Sequence, residues 1–205
     1  MSKFIEVWTG KKGVQKRLKE TLRPEREFRY KLNKVMRLLD RQRMKLETAA
    51  ASLTRKDDYF FRRVVGALRK HDRRRAVIYA NEMAEVRKII KDINQARLAL
   101  EQISVRLSTV RDVGDIAVTL APALSLVRSI RGNVSNVIPQ AEKEYDNILD
   151  LMSSVVADSA RIGGVTLDFS TTNLEAENII RNAEKRVERE MRERLPPVPT
   201  EDLKI

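Results

Sequence analysis

Cysteine is absent from the 205 residues, which excludes disulfides and thiol chemistry and suits a reducing cytoplasm. Proline and glycine are scarce, at six and seven residues, so long helices are expected and sheets are not. No apolar run approaches the roughly 18 residues a membrane span needs. The best stretch, Ile116 to Val127, is too short and holds Thr119, Pro122 and Ser125. The first residues show neither the apolar run nor the cleavage pattern of a secretion leader, and none is expected. The single histidine, His71, sits in "RKHDRRR", read as a basic helical surface without the partners that a metal site or a catalytic triad needs. The Gly163-Gly164 pair lacks the Lys-Ser/Thr of a phosphate loop. Carboxylates recur at helical spacing beside bases, as Glu184 and Glu188 do beside Lys185 and Arg189, which is the pattern of a solvated helix face. No enzyme, cofactor or metal site is expected.

What the chain has is charge, unevenly placed. The net charge is +12. Residues 1–106 carry 29 Lys/Arg against 13 Asp/Glu, a net of +16; the remainder carries 12 against 16, a net of −4. A cationic first half implies an anionic partner: a lipid surface, a nucleic acid or an acidic protein.

The periodicity predicts an all-α fold built on a long antiparallel helical hairpin. A first segment, residues 1–20, opens with Phe4, Ile5, Val7 and Trp8 and continues with Lys11, Lys12, Lys16 and Arg17. The residues suit shallow contact with an anionic membrane, the rings at the headgroup level and the bases on phosphate. A helix is expected from Pro24, with Phe28, Leu32, Val35, Leu39, Leu46, Ala49 and Leu53 spaced by alternating fours and threes. Gln42 is the one polar member of that heptad seam. "LTRKDD" reads as a break, with Asp57 or Asp58 capping a second helix from about Tyr59 to at least Leu107. The hairpin so defined covers about 24–110. The second helix, the longer of the two, would leave Leu100, Ile103 and Leu107 uncovered as a polymer contact.

Within the 21–160 core, residues 111–160 are expected to form short helices hinged at Gly114, Pro122, Gly132 and Pro139, then a helix from about Gln140 to Ala160. A linker over 161–172 follows. Thr172 and Glu175 have capping-box spacing and would open a last helix over 173–194. The tail 195–205 begins "LPPVP", with three of the six prolines within four residues.

This layout resembles the ESCRT-III (Snf7/CHMP) family. "DRRRAVIYANEMAEVRKIIKDINQARLALEQISVRL", residues 72–107, is similar to the family's second helix with its A-x-x-Y-A-x-x element. "NLEAENIIRNAEKRVEREMRERLPPVP", residues 173–199, resembles its terminal helix and proline-rich motif. Within the family the chain looks most like the short archaeal cell-division B class. The resemblance implies a filament-forming, membrane-remodelling subunit that acts in cell division or vesicle budding. Such a subunit would work on the cytoplasmic face of the membrane at the division site, co-assembling with paralogues and switching between closed and open states. It further implies that Leu195, Pro196, Val198 and Pro199 dock as an extended strand on the MIT domain of an AAA+ ATPase. The alternative is a basic coiled-coil protein that binds nucleic acid, for which "RKHDRRR" is the best element and the 5% aromatic content a poor one.

Overall fold

The computed structural model describes residues 3–109, 113–163 and 169–197, with side chains described for 26–109, 118–162, 174 and 176–197. Among these residues there are helices and turns and no strand. Helix α1 spans Lys3–Arg69, α2 Arg73–Thr109, α3 Val113–Ser135, α4 Glu142–Gly163 and α5 Phe169–Arg194, with a single 3-10 turn at Pro139–Ala141 before α4. Helices α1 and α2 form the expected antiparallel hairpin. Helices α3 and α4 form a second one, which packs through α4 on α1 and through α3 on α2. Helix α5 lies on α2 and α3.

The hairpin turns later than expected. Helix α1 begins at Lys3, runs through position 24 and through "LTRKDD", and stops only at Arg69. It continues because Asp57 does not cap anything. The buried row shifts by one residue after Leu46 and then keeps the four-and-three spacing through Ala50, Leu53, Asp57, Phe60, Val64 and Ala67, with Leu53 and Phe60 half-buried and the others buried. Asp57 is fully buried and meets Arg87 of α2 in a two-pronged ion pair, at 2.7 Å through Nε and 3.0 Å through Nη2. The Thr54 hydroxyl is satisfied along the helix, donating to the Ala50 carbonyl, and one turn on Arg62 Nε donates to the Asp58 carbonyl.

The turn is Lys70-His71-Asp72. The Asp72 amide donates to the Ala67 carbonyl and the His71 amide to the Leu68 carbonyl, the paired bonds of a Schellman stop. His71 occupies the left-handed position, with φ 56°, where glycine is usual. Asp72 then caps α2, its Oδ1 accepting from the Arg75 amide at 3.1 Å. The sole histidine is therefore a turn residue, not part of a helical surface.

With the turn moved, the lengths reverse. Helix α1 has 67 residues against 37 in α2, so the overhang belongs to α1. Leu100, Ile103 and Leu107 are at most 2% exposed, inside the main core with Leu120, Leu126, Tyr145 and Met152. The expected uncovered row is instead the seat of the second hairpin.

The hinge expectation is also corrected at two places. Pro122 and Gly132 lie inside one continuous α3. A proline leaves the carbonyl four residues earlier without its helical partner. That residue, Val118, is 56% exposed, so water can reach its backbone and the helix survives. The helix expected from about Gln140 forms as α4, its apolar face Tyr145, Ile148, Met152, Val155 and Val156 buried and Leu149 half-buried. Helix α5 starts at Phe169, three residues before Thr172. Residues 110–112 and 164–168, which include Val110 of the expected seam and most of the expected linker's centre, lie outside the described residues.

Two stability effects follow from the turn and the ion pair. Asp57→Ala leaves Arg87 buried without its partner and should cost about 3–5 kcal/mol in chemical denaturation. His71→Gly should instead gain about 0.5–1 kcal/mol, because glycine removes the left-handed strain while loosening the unfolded chain only slightly. A destabilised glycine variant would mean that the imidazole makes a contact that outweighs the strain.

Candidate functional site: the docking contacts of the closed bundle

Among the described residues no group of three His, Cys, Asp or Glu could hold a metal ion. No helix of the described chain is long and apolar enough to cross a membrane. The features that organise the molecule are contacts between its basic first half and its acidic second half.

Two ion-pair clusters fix α4 on α1. Lys31 Nζ lies 2.6 Å from Asp158 Oδ2. Lys45 Nζ donates to both oxygens of Glu144, at 2.5 and 2.6 Å, and Gln42 Nε2 donates to the same carboxylate. Gln42 is 2% exposed, so the one polar member of the seam is there to receive α4. Lys45 first, and then Gln42, hold the Glu144 carboxyl below its ordinary value of 4.5.

A third cluster fixes α5 on α2. Arg97 reaches Glu190 at 3.5 Å and Glu101 at 3.9 Å, and Lys91 reaches Glu188 at 3.4 Å. Beneath these pairs Leu98 packs with Ala183 and Val187, with Met191 alongside. Ile179 enters the main core, whereas Leu174 remains 65% exposed. Where α5 ends, the Leu195 amide donates to the Met191 carbonyl. The Leu195 side chain turns inward and lines a groove of about 370 Å³ with Ala50, Thr54, Ile90, Asn94 and Met191.

Of the expected tail anchors, then, Leu195 is buried against the hairpin and Pro196 is exposed. Val198 and Pro199 lie outside the described residues. Phe4, Ile5, Val7, Trp8, Lys11, Lys12, Lys16 and Arg17 fall on the helical backbone of α1, and their side chains lie outside the described set. The polymer-contact residues Leu100, Ile103 and Leu107 are brought together, but facing inward. Sequence reasoning missed the Asp57–Arg87 pair and the carboxylates that meet Gln42, Lys31 and Arg97. The first had no signal in the alternation from Leu53, which points to Lys56; Asp57 joins the buried row only through the one-residue shift after Leu46. The others depend on tertiary pairing and had none.

The chain is 29% identical over 196 residues to "Cell division protein B1" of Sulfolobus acidocaldarius, covering 96% of this chain and 89% of that protein. It is 28% identical over 161 residues to "Cell division protein B" of the same organism, covering 78% of this chain and 62% of that protein. This chain is a homologue of the archaeal cell division B proteins. No family model matches it, and no solved structure matches it. The ESCRT-III-like reading thus rests on whole-length similarity to the cell division B proteins and on the helical architecture. Both relatives are named for cell division and neither for a reaction.

The α4 contact carries a pH signature. A carboxylate whose folded value is lowered contributes stability that is complete above its ordinary value and is lost as pH falls through the folded one. For Glu144 that loss begins near the ordinary value of 4.5 and continues into more acid solution. Glu144→Gln should remove this part of the acid dependence. Its stability relative to the parent chain should therefore be lowest at neutral pH and recover toward parity in acid. A constant difference between pH 7 and strong acid would mean that the charge of Glu144 does not hold α4.

Proposed function

We propose that this chain is a filament-forming, membrane-remodelling subunit of the archaeal division machinery, held here in its closed form. The whole-length similarity to cell division protein B1 carries the reading. The ion pairs between the two halves supply a physical rationale for the closed form. In the proposed cycle α4 and α5 leave the hairpin, and the core row Leu100, Ile103 and Leu107 becomes the contact for the next subunit or for a co-assembling paralogue. The domain roles follow: residues 1–20 as membrane segment, 21–160 as polymer core, 161–172 as linker, 173–194 as regulatory helix.

The membrane partner is an anionic lipid surface, met from the cytoplasmic side at the division site. Phe4, Ile5, Val7 and Trp8 would sit at the headgroup level, with Lys11, Lys12, Lys16 and Arg17 on phosphate. The second partner is an AAA+ ATPase with an MIT domain, docking Leu195, Pro196, Val198 and Pro199. Prolines pre-order an extended strand and so reduce the entropy lost on docking. A single such tail would bind at roughly micromolar strength, and many tails on a polymer supply avidity. In the closed form the Leu195 anchor is buried, so docking requires the last turn of α5 to lift first.

Co-sedimentation with acidic and neutral vesicles, beside a duplex DNA shift of matched charge, tests the reading. Binding should favour acidic vesicles over DNA and weaken with salt, since exposed charges are screened beyond roughly 8 Å at physiological ionic strength. The blue shift of Trp8, the only tryptophan, should follow the same order. Preference for DNA would replace the reading with the nucleic-acid alternative. For the tail, deletion of residues 195–205 should abolish binding of an MIT domain and leave vesicle binding intact. An unchanged MIT interaction after that deletion would assign recruitment to another surface.

A further inference from the structure

Among the described residues, the turn end of the hairpin gathers cations that no internal contact accounts for. Residues 55–75 hold nine Lys/Arg against three Asp. One of these acids, Asp57, is consumed by Arg87, and Asp72 pairs with Arg75 at 3.2 Å. Lys56, Arg69, Lys70, Arg73 and Arg74 are all exposed and meet no carboxylate among the described residues. Folding does not ask for this arrangement. Arg73 and Arg74 stand in the first turn of α2, where the helix dipole disfavours cations. Their cost must be offset elsewhere.

The same end exposes apolar surface. Tyr59 is 50% exposed and Ile78 58%. The Arg63 guanidinium lies 5.1 Å from the centre of the Tyr59 ring and 5.9 Å from that of Tyr79, so it bridges aromatic rings from both helices. Cations without partners, tyrosines held by a shared guanidinium and a bare isoleucine thus occur together. Each fits a different layer of one partner: phosphate, headgroup interface and upper acyl region.

We propose that the hairpin turn is a second contact with an anionic bilayer, separate from the N-terminal segment. The inference rests on the membrane reading above and extends it to a new surface. A bilayer fits better than a nucleic acid because apolar and aromatic side chains stand exposed among the cations along the last turns of α1 and the first turns of α2. An aliphatic side chain enters a duplex as a minor-groove wedge, whereas Ile78 on a bilayer meets the upper acyl region while the bases beside it stay on phosphate. The two contacts stand far apart, since 51 residues separate Trp8 from Tyr59 on α1, about 75 Å of helix. Anchored near both ends, the rod is held against the lipid surface rather than tethered by one end.

The lack of native cysteine makes the test direct. Full-length I78C takes one environment-sensitive fluorophore at an exposed site. On phosphatidylserine-containing vesicles the label should blue-shift and brighten several-fold, and acyl-chain nitroxide lipids should quench it. Pure phosphatidylcholine vesicles and duplex DNA should leave it unchanged. The triple variant Arg69→Glu, Arg73→Glu, Arg74→Glu alters exposed, unpaired side chains and should keep its helical circular dichroism. Its partition onto the acidic vesicles should fall at least tenfold. A silent label while Trp8 shifts on the same vesicles would overturn the turn contact and leave the membrane reading standing. Silence at both positions would remove both. A label that answers to DNA and not to lipid would reassign the surface to nucleic acid, and undiminished partition of the triple variant would also reject the proposal.

Discussion

The architecture depends on one ion pair set in a largely apolar seam. Asp57 lies thirteen residues before the Lys70–Asp72 turn and Arg87 fifteen residues after it, near the middle of α2, and the carboxylate is fully buried. An apolar heptad seam tolerates sliding by whole repeats, because Leu, Val and Ile at equivalent positions can exchange partners. A buried carboxylate cannot slide, since only one basic residue on α2 can satisfy it and an unsatisfied charge there costs several kcal/mol. The pair therefore specifies the register of α1 against α2. Register decides which residues of α2 meet α3 and α5, so the later helices inherit their seats from it. Gln42 acts similarly fifteen residues earlier on α1, where its amide selects Glu144 of α4 over any apolar neighbour.

The charge asymmetry between the halves has two meanings, and the structure separates them. Part of it is internal complementarity. Lys31, Lys45, Lys91 and Arg97 of the hairpin meet Asp158, Glu144, Glu188 and Glu190 of the second half. Part of the remainder stands around the hairpin turn, where Lys56, Arg69, Lys70, Arg73 and Arg74 are exposed and meet no carboxylate among the described residues. An anionic partner competes with the acidic helices at the first set and meets no internal competitor at the second.

Much of the fold was legible in the sequence. The alternating spacing from Phe28 to Leu46 and from Ile93 to Leu107 gave the buried faces of α1 and α2, because helical period and burial are locally coupled. The face of α4 was equally plain. The turn was not. Three polar residues at 56–58 looked like a break, while the actual break at His71 lacks the glycine or proline that marks most turns. A non-glycine left-handed residue leaves no compositional trace, and a buried aspartate on a seam looks like a cap until its partner is known. Correcting that one boundary reverses the helix lengths and turns Leu100, Ile103 and Leu107 from an exposed row into core. Of the candidate site, Leu195 was visible as an apolar residue before prolines, but its groove joins residues more than a hundred positions apart and could not be seen.

The helices are not held equally. The pairing of α1 with α2 combines a long apolar seam with a buried ion pair, and the second hairpin adds Tyr145, the largest fully buried side chain, with Ile148 and Met152 beside it. Helix α5 has less. Among its described residues the buried apolar side chains are Ala176, Ile179, Ala183 and Val187, with Leu195 just past its end, and two of these five are alanine. The Lys91–Glu188 pair above it is well exposed, 40% and 54% at the two side chains, and such pairs contribute between nothing and about 1 kcal/mol. The balance of burial thus makes α5 the element that opens at least cost while the hairpin stays intact, a graded stability of the kind that lets local opening precede global unfolding. Because Leu195 lies at the very end of that helix, it is uncovered by fraying of a single turn, before Val187 or Ile179 need move. Access to the start of the proline tail is therefore set by the weakest end of the weakest helix, and the register set by Asp57 is left untouched when it opens.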